Sequence, residues 1–144
     1  MLDAGTYALV IRVQQKLSIK VGRLGVCTFL PGYYIYAGSA LKGLNARLER
    51  HRREEKKMFW HIDYLLEHAE INEIWYCLST ERLECRWNTA ITKLPGAEIA
   101  VKNFGSSDCK CLSHLTRFVQ KPSFADFQKA LKLSGWPEAL LKLI

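Results

Sequence analysis

From Gly5 to Val13, residues two apart fall into matched sets: Tyr7, Leu9, Ile11 and Val13 share one face, and Ala8, Val10 and Arg12 the other. That period predicts a strand. Leu17 to Val21 and Val26 to Leu30 flank the turn Gly22-Arg23-Leu24-Gly25 and predict a hairpin, punctuated by Pro31-Gly32. Tyr33 to Ala37, aromatic and β-branched, predicts a strand ended by Gly38-Ser39. Helix follows from about Gly43 to Lys57, and a short one over Trp60 to His68; Asn72 to Leu78 returns to strand character. Ser79-Thr80 offers an N-cap to a helix over Glu81 to Leu94. Beyond Pro95-Gly96 come a weak strand at Ile99 to Val101, a polar loop at Phe104 to Asp108, a cysteine-rich turn and a strand over His114 to Val119. An amphipathic helix at Ser123 to Leu133 and a short helical tail over Gly135 to Ile144 complete the chain. This mixed order predicts an α+β domain with helices flanking a small antiparallel sheet.

Length and composition agree with one domain over residues 1–144, because 49% hydrophobic residues in 144 suffice for one core and exclude a disordered chain. Lys and Arg outnumber Asp and Glu, 21 to 14, for a net charge of +7. That excess favours an anionic partner, nucleic acid ahead of a membrane surface. No apolar run is long enough for a membrane span and no leader pattern opens the chain, so a cytoplasmic protein is expected. Five cysteines, an odd number inside apolar or helical patterns, argue against a disulfide framework.

Candidate chemistry emerges on the first helix. With Leu44 at zero on a helical projection, Leu48 lies at about 40°, His51 at about 340° and Arg47 at about 300°. Arg47 and His51 therefore border the buried stripe, whereas Arg50, Arg53 and Lys57 project away from it. On the later helix Leu83, Trp87, Ala90, Ile91 and Leu94 form one apolar arc with Glu84 against it, while Glu81 turns toward solvent. Read locally, Glu84 complements a helix dipole and Tyr7 and Tyr36 form a cross-strand aromatic pair.

Together Gly5-Thr6-Tyr7, Tyr36-Ala37-Gly38, Arg47, His51 and Glu84, in this order and approximate spacing, resemble the GIY-YIG nuclease superfamily. The resemblance covers about residues 5–94 as a core, with an extra hairpin between the two triplets and a C-terminal extension over about 95–144. The segments Trp60-His61-Ile62-Asp63-Tyr64 and Phe104-Gly105-Ser106-Ser107-Asp108-Cys109 resemble an uncharacterised branch found alone or attached to DNA glycosylases. The middle isoleucines are replaced by Thr6 and Ala37, which point away from the tyrosines, so their replacement is expected to touch packing more than chemistry.

The resemblance implies a metal-dependent DNA endonuclease acting in repair or on structured DNA, with RNA as a further substrate class. Tyr7 would activate a water directly or through Tyr36, Arg47 would pair with the scissile phosphate, and His51, titrating near neutrality, would assist proton transfer. Glu84 would hold one Mg²⁺ or Mn²⁺. The alternative is an inactive nucleic-acid-binding module that recruits or positions a DNA-repair partner.

From Lys42 to Lys57 seven cations face three acidic residues, a local net charge of +4. Lys42, Arg50, Arg53, Lys56 and Lys57 are thus candidate phosphate contacts, joined by Ser106 and Ser107 of the polar loop. Cys109, Cys111 and His114, with Cys85 joining from the neighbouring helix, form a candidate zinc set. Cys-x-Cys-x-x-His is tighter than usual zinc spacings and needs a fourth ligand from elsewhere, which favours plain packing of Cys85 and Cys109. His61 and Asp63, at a helix start, read as capping or structural hydrogen-bonding groups.

Overall fold

A computed structural model describes residues 3–133 and 141–143. Its first strand, β1 (Gly5–Val13), is buried at every position but Arg12, because it is central and covered on both faces. It pairs antiparallel with β4 (Gly32–Ala40) on one side and β5 (Glu70–Leu78) on the other. β6 (Leu115–Phe118) and β7 (Leu141–Leu143) extend the sheet outward, giving the order β6-β4-β1-β5-β7 with every pairing antiparallel. The expected hairpin is β2 (Leu17–Lys20) paired with β3 (Val26–Phe29), joined through a short 3-10 turn at Gly22–Leu24.

Among the described residues four helices cover the sheet: α1 (Leu44–Arg52), α2 (His61–Leu66), α3 (Glu84–Thr92) and α4 (Phe124–Leu133). The alternation of β1 sorts them. Tyr7, Leu9, Ile11 and Val13 pack with Leu44 and Leu48 of α1, Ile62 and Leu65 of α2, and Val21 and Phe29 of the hairpin. Ala8 and Val10 pack with Trp87 and Ile91 of α3 and Phe127 and Leu131 of α4. The α+β class is therefore realised as one antiparallel sheet with helices on both faces. The segment after residue 94 is integral to both cores, since Phe104 is buried in the first and Phe118 and Phe127 in the second.

Several expected boundaries move for tertiary reasons. β4 does not end at Gly38-Ser39 but runs to Ala40, because Gly5 to Tyr7 of β1 supply partners for Gly38 to Ala40. α1 stops at Arg52 instead of Lys57, and Lys56 folds back so that its Nζ donates to the carbonyls of Arg50 and His51 at 3.1 and 2.9 Å. Those are terminal carbonyls that a longer helix would have satisfied itself. α3 starts at Glu84, not Glu81, with Leu83 before it; Ser79 Oγ instead accepts from Glu81 N at 3.1 Å. Ile99 to Val101 forms no strand, and only an isolated bridge from Glu98 to Arg117 touches the sheet there. At Leu141–Leu143 the expected helical tail is replaced by β7; the rest of that tail lies outside the described residues. No helix among the described residues is long and apolar enough to cross a membrane.

Candidate active site

Gly38 is opposite Tyr7 in the β1–β4 ladder, and a Cβ there would sit 2.6 Å from both Cζ and the hydroxyl of Tyr7. The glycine therefore makes room for the phenol to cross β4. Tyr36, two residues earlier on the same face, is buried in the same cluster. Over them lies α1, whose N-terminus is held by Asp3: its carboxylate accepts from Asn45 N at 2.9 Å and its carbonyl from Leu44 N at 2.8 Å. This docking places His51 Nε2 2.7 Å from the Tyr7 hydroxyl. Arg47, one helical turn earlier, donates to the Ser39 carbonyl at 3.1 Å and hydrogen-bonds the Tyr7 phenol.

Burial sets the protonation of this pair. It pushes the Tyr7 phenol up to about 12, even though the charge and hydrogen bond of Arg47 pull the other way. Burial likewise holds Tyr36 well above an ordinary phenol. His51 is pushed down to about 3, first by burial and then by the nearby cations Lys56, Arg47 and Arg50, against the attraction of Asp63. The expectation that His51 titrates near neutrality is thereby corrected, since the buried imidazole is neutral at pH 7. A guanidinium can only donate, so the Tyr7 oxygen accepts from Arg47 and gives its own proton to His51 Nε2. The imidazole proton is then on Nδ1, which is buried without a partner.

Glu84 arrives from the other face of the sheet. The faces meet at Ser39, which alternation turns toward α3 while its carbonyl is held by Arg47. The Ser39 hydroxyl donates a short hydrogen bond to Glu84 Oε2 and accepts from Leu83 N at 3.3 Å, fixing the first turn of α3. Thr6 Oγ1 is 3.1 Å from Ser39 Oγ. Thr6 thus belongs to the polar network, which corrects the expectation that its effect is packing; Ala37 does pack in the second core. Arg47 and Glu84 both act on the Tyr7 and Tyr36 phenols, the Glu84 charge raising both, and the His51 ring lies beside both tyrosines.

Ser39 and Trp60 were missed by sequence reasoning. Ending the strand at Ala37 left the serine outside it, whereas continuing the alternation two residues would have turned Ser39 toward the Glu84 helix. Trp60 lies under two guanidinium groups, Arg47 at 4.3 Å and Arg50 at 4.4 Å from its ring centroid, with the His51 ring 6.0 Å away. Such stacking stabilises arginines that would otherwise be mobile.

The candidate phosphate contacts divide. Lys42, Arg53 and Lys57 are exposed. Arg50 does not project freely: its guanidinium grips buried Asp63 through two bonds of 2.8 and 2.9 Å. Although burial opposes ionisation, the Arg50 bonds and the Trp60 and Phe59 N–H donors hold Asp63 below its ordinary range, so Asp63 is the cap expected at α2. Lys56 is half-buried on the end of α1. Ser107 is exposed, but Ser106 is buried in the turn closed by Cys109 N on its carbonyl, which corrects its placement as a surface contact. His61 Nδ1 accepts from Gly105 N at 2.8 Å, a structural bond that anchors the loop.

The cysteine loop lies directly beside Glu84. Cys85 is the next residue on α3, and its Sγ is 3.5 Å from His114 Nε2, while Cys109 Sγ is 3.3 Å from the same nitrogen. The ligand atoms of Cys85, Cys109, Cys111 and His114 all lie within 4.8 Å of one another, a set able to hold a metal ion. These soft donors suit zinc better than magnesium.

No curated protein and no solved structure matches this chain. A family model described as Domain of unknown function DUF123 does match, over residues 6–135, a span that takes in β1 from Thr6 on, the Tyr36-Ala37-Gly38 triplet, α1, α3 and the cysteine loop. The chain belongs to the DUF123 family, a domain of unknown function.

Proposed function

We propose that this chain is a GIY-YIG-type endonuclease that hydrolyses phosphodiester bonds in DNA. The observation that carries this reading is the 2.7 Å bond between the Tyr7 hydroxyl and a neutral His51, with Arg47 on the same phenol. As a water attacks phosphorus, its proton passes to the Tyr7 oxygen while the Tyr7 proton passes to His51 Nε2. Asp63 and its electrostatic attraction favour the imidazolium so formed. Arg47 leaves the Ser39 carbonyl to pair with the phosphate as charge builds on its oxygens. Exposed Lys42, Arg53 and Lys57 attract the backbone without reading its sequence.

Glu84 fits a divalent ion: it is a carboxylate at the start of α3 whose side chain is 17% accessible, with Oε2 on the Ser39 hydroxyl and Oε1 only 3.8 Å from exposed Arg82 Nε. Mg²⁺ is commonly held by one or two carboxylates, with waters and substrate oxygens filling the other positions. Bound there, the ion would supply positive charge to the leaving oxygen.

The burial of Tyr7, only 1% exposed, favours a second reading, a binding module that keeps the basic face without turnover and positions a DNA-repair partner. A nicking assay with Mg²⁺ or Mn²⁺ on duplex, single-stranded, flapped and branched DNA, with RNA alongside, separates the two. Cleavage by wild type that disappears in Glu84→Gln, while binding persists, supports the nuclease. Binding by both proteins with cleavage by neither overturns it in favour of the module.

A further inference from the structure

Four metal-binding side chains converge at the end of the sheet from three separate places in the chain. Cys85 comes from the first turn of α3, Cys109 and Cys111 from the loop before β6, and His114 from the residue that leads into β6. Zn–S bonds of about 2.3 Å and Zn–N bonds of about 2.0 Å at tetrahedral angles require S···N separations of about 3.5 Å. The two measured here are 3.5 and 3.3 Å. All five cysteines are free thiols, and a disulfide within the set would leave one of its three sulfurs over.

The surroundings are those of ligands held in place. The His114 carbonyl accepts from Ala37 N at 3.2 Å, which ties the residue to β4 while its Nε2 faces the Cys85 and Cys109 sulfurs. Asn88, buried on α3, donates through Nδ2 to the Ser113 carbonyl at 2.7 Å and so ties the helix that carries Cys85 to the loop. The loop itself is closed by Asn103 N to Leu112 O at 2.6 Å and His114 N to Phe104 O at 2.8 Å. It is anchored below by buried Phe104.

We propose that Cys85, Cys109, Cys111 and His114 bind one structural zinc ion that clamps the first turn of α3 to the 104–114 loop and the start of β6. Four protein ligands leave no open position, so the ion is structural and not a site for substrate. Its clamp lies one residue from Glu84 on one side and, through His114 and Ala37, against the Tyr36 strand on the other. Holding Glu84 at the angle catalysis needs is a consequence that rests on the nuclease reading; zinc binding itself does not.

The test uses the full chain, expressed with zinc in the medium and purified without a metal-affinity tag. Elemental analysis should find about one zinc per chain that survives dialysis against excess Mg²⁺. Replacement by Co²⁺ should give a thiolate-to-cobalt charge-transfer band and the intense visible bands of tetrahedral cobalt. Glu84→Gln should keep the ion in full, whereas Cys109→Ser and Cys111→Ser should lower zinc affinity and weaken the charge-transfer band. The proposal is overturned if folded wild type carries less than about a tenth of an equivalent and takes up Co²⁺ only with the pale spectrum of oxygen ligation. It is equally overturned if Glu84→Gln loses the ion while the cysteine variants retain it. Metal content and spectrum are read without DNA, so failure of the nuclease reading leaves this result distinct.

Discussion

Acidification should expose the cost of keeping His51 neutral. Its ordinary value is 6.5 and burial lowers it to about 3 in the folded chain. Between those values the unfolded chain takes up a proton that the native chain refuses, so the contribution of this residue to stability is present above pH 6.5 and is lost as pH falls toward 3. From pH 7 to pH 5 the loss is about 2 kcal/mol, at about 1.4 kcal/mol per pH unit below the unfolded value. With a urea dependence of about 2 kcal/mol per molar, the midpoint of wild type should fall by about 1 M from this residue alone. His51→Gln removes the titration but keeps a polar group beside Tyr7. His61 and His114, which burial also lowers, and Asp63 titrate in both proteins and drop out of the comparison. Urea unfolding of both proteins at pH 7 and pH 5 should therefore show wild type losing about 2 kcal/mol more than His51→Gln. Parallel losses, within about 0.5 kcal/mol, would refute the claim that His51 is buried and neutral.

Gly38→Ala forces a Cβ against the Tyr7 ring and should destabilise the fold by about 1–3 kcal/mol in urea titration while abolishing cleavage through displacement of the phenol. Unchanged stability would show that Tyr7 does not cross that position. Lys56→Ala removes the two bonds that close α1 and should lower stability by about 1 kcal/mol. Arg53→Ala and Lys57→Ala, by contrast, should leave stability unchanged and each reduce the salt slope of DNA binding by about one. Salt slopes that fall in Lys56→Ala but not in the other two would reverse that division.

How far the site is legible in the sequence depends on how local its cause is. Alternation in β1 is set by backbone geometry, so placing Tyr7 on one face and Ala8 on the other required nothing beyond the residues themselves. The same holds for Arg47 and His51, whose spacing from Leu44 and Leu48 turns them toward the core once a helix exists. Cys109, Cys111 and His114 are likewise close in the chain, but spacing alone argued against a metal because it supplied only three ligands. Cys85, twenty-four residues before Cys109, could be named as the fourth from the sequence, but only the packing of α3 against the loop brings its sulfur to the other three.

Periodicity and side-chain type are enough to give the α+β class, the faces of the strands and helices, and the residues able to carry chemistry. What those residues are in place depends on contacts made across the fold. β1 carried β4 past Gly38 and so turned Ser39 toward Glu84; Lys56 ended α1 by taking its carbonyls; Asp63 drew Arg50 off the surface. Such contacts also decided that His51 is neutral and Tyr7 protonated, because desolvation depends on what surrounds a group in space, and those neighbours come from segments far apart in the chain.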